Sequence, residues 1–354
     1  MTTNEPAASA VRLPPNPVWR SYPGGSVLRR FRGAGDTEDD HFPEDWLASS
    51  VPARNGAESR GPDEGISRVR FGGEDKLFPD LLRANTAYGP SRGAGSLGVL
   101  LKLLDSAERL HLQAHPDDAY VQARLGGTAG KTECWYILST RRDDASIYLG
   151  FQRPPTAAAW RDMIAAQDTA AMLRCFDPIP VRPGDCYVVP AGVPHAIGAG
   201  VFMVELQQPS DWVVRCEFTV GGYTLPEPAR FMGLTLDDCL GIFDYKAHLP
   251  AAFRQSPRLV ARGDGYTQEE IIGPAFHRYF RLHRVRGTGD ATWECPGPAV
   301  AVFTRGEGRV TINGAAESAR RGDTLLLPAT ATPATWANAA GEWEILLALP
   351  PSKV

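Results

Sequence analysis

The sequence predicts a mainly β protein made of two barrel-like units with a few helices. The chain of 354 residues exceeds the usual size of one domain, and its 43% hydrophobic and 22% charged residues are typical of a folded protein. Its 36 Gly and 30 Pro divide it into short apolar runs. These runs and an internal repeat favour β-sheet units over long helices.

The apolar runs between the breaks are rich in Val, Ile, Leu, Phe and Tyr, as strands usually are. Their lengths suit sheets rather than long helices. The strands predicted with most support cover residues 186–191, 201–207, 299–305, 324–329 and 343–349.

Residues 156–175 have a different pattern, because their apolar side chains recur at helical spacing behind a Pro-Pro-Thr start that can cap a helix. The apolar residues are Trp160, Met163, Ile164, Met172 and Leu173. Two more helices are expected, at 78–85 and 227–239.

An internal repeat indicates the two units. Gly184-Asp185 is followed after four residues by Pro190-Ala191, and Gly322-Asp323 is followed after four residues by Pro328-Ala329. Each copy predicts a tight turn at the glycine, a buried strand and a second turn. The alternative is that these are unrelated hairpins. We expect a disordered tail at 1–15, a first unit at 16–250 with a helical insertion around 156–175, and a second unit at 251–354.

Charge and cysteine content exclude several classes of function. The net charge is −4 and the basic residues are spread along the chain, so a nucleic-acid partner is not expected. No signal peptide and no run of about 18 apolar residues is present, so we expect a cytoplasmic protein without a membrane partner. The six cysteines are scattered without a Cys-x-x-Cys pair, which favours reduced thiols over disulfides or a thiolate metal site.

The stretch HLQAHPDD (residues 111–118) carries polar groups in strand-like sequence. Alternate residues of a strand share a face, so Gln113 and His115 should point the same way. In GKTECWYIL (130–138), Lys131 and Glu133 share a face by the same rule. His195 follows a predicted buried strand, in a glycine-rich loop from which it can reach back to the others.

One amide oxygen, one carboxylate and two imidazoles suit zinc or another divalent first-row ion, with room for a water or a substrate oxygen. The alternative is that His115 and His195 are ordinary satisfied histidines and that Glu133 is an ordinary salt-bridged carboxylate. The joint spacing and the placement at strand ends favour the metal site.

These motifs resemble those of a known family. QAHPD, GKTE, PAGVPHAIGAG and QQPSDWVVR look like the successive signatures of the type I mannose-6-phosphate isomerases, zinc enzymes of the cupin superfamily. The resemblance is specific from about residue 100 to 215. NPVWRSYPGG (16–25) and FPEDWLASS (42–50) are similar to the family's entry segment, and the C-terminal copy is similar to its second cupin unit.

The resemblance implies two cupin-like (jelly-roll) units and one zinc ion per chain, bound by Gln113, His115, Glu133 and His195. It also implies that Lys131, Asp211 and Arg215 line the reacting end. The reaction would interconvert mannose 6-phosphate and fructose 6-phosphate through an enediol, with Lys131 or Asp211 moving the proton and zinc and Arg215 stabilising negative charge. The resemblance does not identify the base. Structural roles are the alternative, with Asp211 and Arg215 as a surface ion pair.

The sequence departs from the family pattern where the phosphate is bound. The family often has a serine two residues before the ligand glutamine and a Thr-Pro-Lys after the reactive arginine. Here His111 and Thr219-Val220-Gly221 hold those places. We expect His111 to contact substrate, with an arginine from the loops as the alternative replacement cation. Trp212 is expected to contact a sugar face or, alternatively, to be a core residue. An unphosphorylated sugar, another sugar phosphate and a non-catalytic sugar-binding protein stay open. An oxygenase or epimerase on the same scaffold is less favoured, because Gln113 adds a fourth ligand.

The second unit departs too. When the two Gly-Asp turns are superposed, Pro333 falls where His195 stands, and no His-x-His or Gln-x-His follows residue 291. This degenerate unit is therefore predicted to be structural, and the protein to be a monomer or a homodimer.

Overall fold

The structure is a computed structural model that describes residues 8–91, 93–295, 297–331 and 333–352. Six α-helices connect the strands or pack beside them: α1 Ser26–Phe31, α2 Phe78–Ala84, α3 Asp118–Arg124, α4 Ala157–Ala166, α5 Thr169–Leu173 and α6 Leu236–Cys239. The strands up to residue 224 are β1 Val11–Arg12, β2 Pro17–Val18, β3 Glu44–Leu47, β4 Arg68–Phe71, β5 Glu74–Leu77, β6 Leu100–Ser106, β7 Gln113–Ala114, β8 Glu133–Thr140, β9 Ser146–Leu149, β10 Ile179–Pro180, β11 Cys186–Val189, β12 His195–Ile197, β13 Val201–Gln207, β14 Val214–Arg215, β15 Thr219–Val220 and β16 Tyr223–Thr224. The later strands are β17 Arg258–Gly263, β18 Tyr266–Glu270, β19 Arg281–Gly287, β20 Ala291–Trp293, β21 Ala299–Arg305, β22 Glu307–Ile312, β23 Ala315–Arg320, β24 Thr324–Leu327, β25 Ala334–Asn338 and β26 Trp343–Leu349.

The first unit has two sheets with an apolar core between them. One sheet has the strand order β11-β8-β13-β6-β3-β2 and the other β10-β9-β12-β7-β14. Trp135 and Met203 from the first sheet pack with Ile147, Leu149 and Ile197 from the second. Each of the two sheets turns one face toward this shared core.

The second unit repeats this plan. A sheet with the order β1-β24-β21-β26-β19-β18-β17 lies beside a sheet with the order β20-β25-β22-β23. Phe303, Leu325 and Ile345 of the larger sheet share a core with Ile312 and Trp336 of the smaller one. The mainly β architecture of two jelly-roll-like units is therefore confirmed, although the strand pairing among the described residues does not close either unit into a barrel.

The two units share a third core, between the six-stranded and the seven-stranded sheets. Leu103 and Val204 of the first unit and Val302 and Leu346 of the second belong to it. The strands of these two sheets are therefore apolar on both faces, which explains their unbroken runs of apolar residues.

The internal repeat is visible in the hydrogen bonds of its two turns. Gly184 and Gly322 have φ values of 90° and 93°. The aspartate that follows, Asp185 or Asp323, accepts on its carboxylate the backbone N–H three residues earlier, at 2.9 Å in the first copy and 3.0 Å in the second. A side chain at either glycine would be strained at this φ, and each turn leads into a buried strand, β11 or β24. The hypothesis of unrelated hairpins is therefore not supported.

The helix predictions are confirmed in part. The helix expected at 78–85 is α2. The segment 156–175 contains two helices, α4 and α5, because Gln167 takes the left-handed conformation with φ 52° between them. The continuous helix expected at 227–239 is wrong: a 3₁₀ turn at Glu227–Ala229 and the short α6 are separated by Gly233, at φ 82°.

The prediction of a disordered tail at 1–15 is wrong for its described part. Val11 and Arg12 form β1, which pairs with Leu326 and Leu325 of β24. Val11 and Leu13 are buried in this position. Residues 1–7 lie outside the described residues. Over the described parts of the chain, no helix is both long and apolar enough to cross a membrane.

Candidate metal centre and its surroundings

Strand pairing brings the four predicted metal ligands together. Gln113 of β7 lies directly opposite His195 of β12 in the five-stranded sheet. His115 follows β7, two residues beyond Gln113 and therefore on the same side. Glu133 begins β8 in the other sheet, opposite Gln207 of β13. The site thus lies where the two sheets of the first unit face each other.

The ligand atoms point at one another. His115 Nε2 lies 3.3 Å from Glu133 Oε2, and His195 Nε2 lies 3.5 Å from Glu133 Oε1. The side-chain amide of Gln113 lies 3.3 Å from His195 Nε2, and a half-turn of this amide presents its oxygen instead. The atoms of the two histidines and the glutamate lie within 4.8 Å of one another.

Both histidines are held in the form that binds metals. His115 Nδ1 donates to the backbone carbonyl of Trp212 at 2.8 Å, and His195 Nδ1 donates to that of Val193 at 2.8 Å. A neutral ring that donates from Nδ1 carries its free lone pair on Nε2, which faces the site. Burial lowers the pKa of His115 to about 3 and also lowers the pKa of His195, so both rings are neutral at pH 7.

Glu133 supplies the negative charge of the cluster. It is buried, and the indole N–H of Trp135 donates to its Oε1 at 3.0 Å. Burial alone would raise its pKa, but the charge of Lys131 and the contact with His115 outweigh burial and hold the pKa well below its usual range. A buried carboxylate and two buried imidazole lone pairs, beside an amide oxygen, fit a divalent ion such as zinc.

Lys131 lies inside this cluster. Its Nζ is 2.6 Å from Glu133 Oε2 and 2.9 Å from His115 Nε2. It is also 3.6 Å from Glu205 Oε1. Lys131 and Glu133 thus face each other, as their predicted common strand face requires, and the ammonium lies against atoms that a metal ion would use.

Sequence reasoning missed a buried ion pair that lines the same cavity. Lys102 of β6 lies opposite Glu205 of β13, with Nζ 3.0 Å from Oε1. Burial raises the pKa of Glu205. Burial would lower the pKa of Lys102, but the negative charges of Glu205 and Glu44 outweigh burial and raise it. The available signal was a charge inside each of two mostly apolar, buried strands, LLKLLDS and VFMVELQ.

Asp211 is bound by Arg20 rather than by Arg215. Both carboxylate oxygens of Asp211 accept from the Arg20 guanidinium, at 3.1 and 3.3 Å, and Oδ2 also accepts the Arg54 backbone N–H at 2.9 Å. Arg20 also pairs with Glu44 at 2.9 Å. The hypothesis of a surface ion pair between Asp211 and Arg215 is not supported, because Asp211 and its partner Arg20 are buried in the cavity wall.

Arg215 is the cation of this cavity without a carboxylate partner. Its backbone lies opposite Gln113, and its guanidinium donates to the Ala229 carbonyl at 2.8 Å. No carboxylate of the described residues lies within 4.0 Å of it. Burial lowers its pKa to about 10, so it remains charged at pH 7. A buried guanidinium with free N–H groups is suited to an anionic group of a ligand.

Of the two residues predicted to contact substrate, one lines the cavity and the other does not. His111 lines the cavity, donates from Nδ1 to the Glu217 carbonyl at 2.9 Å and lies 3.2 Å from the Ser21 hydroxyl through Nε2. Burial lowers its pKa to about 4, so His111 brings no positive charge. Trp212 does not line the cavity: its carbonyl holds His115, and the Arg54 guanidinium covers its ring at 3.6 Å.

The second unit contains no comparable cluster in its described part. Among all described residues, only His115, Glu133 and His195 form a group of His, Cys, Asp or Glu with the spacing of a metal site. The fold and the site therefore define the class: a protein of two cupin-like β units, of which the first carries a buried candidate metal centre.

Comparisons with known proteins find several similar isomerases. The chain is 29% identical over 311 residues to mannose-6-phosphate isomerase of Streptococcus mutans, covering 87% of this chain and 89% of that protein. It is 38% identical over 117 residues to mannose-6-phosphate isomerase ManA of Bacillus subtilis, covering 33% and 36%. No model of a known protein family matches the sequence. The chain is thus similar to mannose-6-phosphate isomerases along most of its length, as its motifs predicted.

Solved structures show the same fold. The mannose 6-phosphate isomerase of Bacillus subtilis has a TM-score of 0.76 at 22% identity, covering 96% of this chain and 99% of that one. A variant of phosphomannose isomerase from Salmonella typhimurium has a TM-score of 0.68 at 15% identity, covering 98% and 100%. The fold of these structures therefore matches nearly the full length of the chain.

Proposed function

We propose that this protein is an aldose-ketose isomerase that interconverts mannose 6-phosphate and fructose 6-phosphate. The observation that carries the proposal is the convergence of Lys131 and Glu205 on the buried His115–Glu133–His195 cluster, in one cavity with Arg215. This combination supplies a metal-binding set, proton-transfer groups and a cation for developing negative charge. The names of the related isomerases support the same reaction.

The proposed cofactor is one zinc ion per chain, held by Gln113, His115, Glu133 and His195. Neutral imidazole, carboxylate and amide oxygen are ligands that zinc accepts, and this set leaves open positions for substrate oxygens. When bound, the ion would polarise the oxygens on C1 and C2 of the sugar and favour the enediol.

Lys131 is the preferred proton handler of the two that the sequence indicated. Its Nζ lies 3.6 Å from Oε1 of Glu205, whose pKa burial raises, so a carboxyl group that can hold a proton stands beside the lysine. Asp211 is a weaker candidate, because the charge of Arg20 lowers its pKa against burial and Arg20 and Arg54 occupy both of its oxygens. Asp211 instead positions Arg20 in the cavity wall.

Arg215 would stabilise the negative charge that develops on the substrate. Its guanidinium is buried, charged and free of carboxylates, which makes its field strong in the cavity. Lys102, held by Glu205 and Glu44, adds a second fixed positive charge on the same cavity.

An unphosphorylated hexose is the second candidate substrate, favoured by one observation. His111 stands where relatives of this family often have a serine near the phosphate, and burial keeps it neutral. Its Nδ1 is already used by Glu217, and Arg109 beside it is bound by the carboxylate of the same Glu217 at 2.6 Å. Arg20, Lys102 and Lys131 are paired with carboxylates, so Arg215 is the remaining cation of the cavity that could bind a phosphate.

A substrate panel tests both candidates. The zinc-loaded protein is incubated with mannose 6-phosphate, glucose 6-phosphate, free mannose and free glucose, and ketose formation is followed. Turnover of mannose 6-phosphate with kcat/KM at least 100-fold above that of free mannose supports the first candidate, and the reverse preference supports the second. Solvent-hydrogen exchange at C2 separates both from a non-catalytic sugar-binding protein, which exchanges none. A cytoplasmic location and a monomeric or homodimeric state stay predictions.

A further inference from the structure

A second cavity, of about 720 Å³, lies between the two units. Residues 136–139 of β8 and Phe202 of β13 form its wall on the first unit, and β17, β18, β19 and β26 form its wall on the second. None of its lining residues lines the cavity of the metal centre. We call it the inter-unit cleft, and neither the reaction nor the metal centre uses it.

The seven-stranded sheet changes from apolar to basic where it enters the cleft. Val302 of β21 and Leu346 of β26 pack in the core between the units. Thr304, two residues later on β21, and Glu344, two residues earlier on β26, line the cleft. At this level the strand register places Arg262, Thr267, Arg286, Glu344 and Arg305 in one row across β17, β18, β19, β26 and β21. Residues opposite each other in an antiparallel sheet share a face.

The three arginines of this row stand on every second strand. Neighbouring strands are about 4.8 Å apart, so the backbones of Arg262 and Arg286, and those of Arg286 and Arg305, are separated by roughly 10 Å. Their long side chains rise from one face into the cleft, where all three are among the lining residues. The row therefore presents cations at a repeated spacing.

The floor of the cleft adds a buried cation. Arg284, two residues before Arg286 on β19, is 7% exposed and donates to the Tyr136 hydroxyl at 3.0 Å. It shares Glu269 Oε2 with Arg286, at 2.7 and 3.3 Å. One carboxylate oxygen thus serves two guanidiniums, which leaves N–H groups of both for another acceptor.

The charges of the cleft do not balance. Five arginines line it but only two carboxylates, Glu342 and Glu344, and Glu269 pairs with two of these arginines. Arg305 pairs with Glu342. Arg262 and Arg321 have no carboxylate within 4.0 Å among the described residues, and Arg321 lies over the ring of Phe31 at 5.1 Å.

We propose that the inter-unit cleft binds a small molecule that carries two separated phosphate groups. Guanidinium groups bind phosphate through paired hydrogen bonds, and two phosphates of one ligand can bind arginines whose backbones lie about 10 Å apart. The cavity volume lies within the range of ligand sites, which hold molecules of sugar or nucleotide size. The excess positive charge supplies long-range attraction that salt weakens.

The probe is hexane-1,6-diol bisphosphate, measured by isothermal titration calorimetry on the zinc-loaded full chain. We expect binding that weakens at least tenfold in Arg262→Ala/Arg321→Ala, with isomerase activity retained. Arg70→Ala/Arg278→Ala, which also removes two exposed arginines but outside the cleft, should bind as the unmodified protein does. Inorganic phosphate should bind at least tenfold more weakly than the bisphosphate.

Three results would overturn the proposal. One is no binding of the bisphosphate at millimolar concentration. Another is equal loss of affinity in both double variants, which would indicate a non-specific charge effect. The third is binding that Arg215→Ala abolishes while Arg262→Ala/Arg321→Ala leaves it intact, because the probe would then occupy the sugar site. Circular dichroism of each variant shows that lost binding does not reflect unfolding.

Discussion

The ammonium of Lys131 lies 2.6 Å from Glu133 Oε2, an oxygen of the candidate metal cluster. Lys131 also lies 2.9 Å from His115 Nε2. An N–H donor and a metal ion cannot use the same lone pair, so the two cations compete for the cluster. These contacts place Lys131 within the cluster and not at an exposed strand end.

We expect Lys131→Met to bind zinc more tightly than the unmodified protein, by about tenfold, because it removes a competing positive charge. The same variant should lose at least 1000-fold in kcat, since the proposed proton handler is gone. Competition with a chromophoric chelator measures affinity, and the sugar-phosphate assay measures kcat. Weaker zinc binding in Lys131→Met would contradict this account of the site.

Removing a ligand should remove the metal. Glu133→Ala and His195→Ala are each expected to lower zinc content from about one per chain to near zero, because each deletes a buried donor of the cluster. Metal content after dialysis is measured by atomic emission. His248→Ala, which removes a half-buried histidine paired with Asp244 outside the site, is the matched control and should keep its zinc. Full metal content in both ligand variants would refute the ligand assignment.

The buried pair Lys102–Glu205 gives a third prediction, on stability. Lys102→Met should destabilise the protein by roughly 3 kcal/mol, because it leaves Glu205 buried beside Glu133 without its closest cation. Lys102→Met/Glu205→Gln should recover at least half of this loss, because the uncompensated charge is then removed. Urea unfolding measures both. A double variant that is less stable than the single variant would mean that the pair itself stabilises the fold.

Sequence reasoning identified the metal centre more completely than its surroundings, for a physical reason. Gln113, His115 and Glu133 stand near strand ends, where alternation predicts their facing, and His195 follows a recognisable turn. Lys102 and Glu205 lie inside strands that are buried on both faces, so periodicity cannot tell which cavity they face. Arg20 reaches Asp211 from 191 residues away, a contact that depends on how the entry segment packs.

The same reasoning explains the errors in the fold. The apolar spacing at 156–175 predicted one helix, but spacing does not reveal that Gln167 takes a left-handed conformation and divides it. The entry residues Val11 and Leu13 looked like a tail because two apolar residues form no pattern. Their burial depends on β24, which lies more than 300 residues later in the chain. The segment around Val11 covers the edge of β24.

The fourth prediction is that replacing Arg215 reduces catalysis and leaves the metal bound. Arg215→Lys keeps a positive charge but loses the planar fork, so we expect kcat/KM for the sugar phosphate to fall about 100-fold while zinc content stays near one per chain. Steady-state kinetics and metal analysis are read on the same preparation. Arg109→Lys is the control, because Arg109 is held by Glu217 at 2.6 Å and should matter less. An unchanged kcat/KM in Arg215→Lys would remove Arg215 from the reacting end.

His283 in the second unit predicts how stability depends on pH. Burial lowers its pKa from 6.5 to about 4, so the folded protein keeps this ring neutral while the unfolded chain binds a proton. Between pH 6.5 and 4 the unfolded state therefore holds more protons, and stability falls as pH falls, by at most about 1.4 kcal/mol per pH unit from this group. Above pH 6.5 both states are neutral and the contribution of His283 to stability is constant.

The variant His283→Gln should show a smaller decrease in stability between pH 6.5 and 4. The measurement is the free energy of unfolding in urea at pH 7.0, 6.0 and 5.0, with zinc saturating. His41→Gln, at a half-exposed position of the first unit, is the control. Equal slopes for His283→Gln and the unmodified protein would show that His283 is protonated in the folded state, with Glu270, 3.9 Å from its Nε2, as the partner that offsets burial.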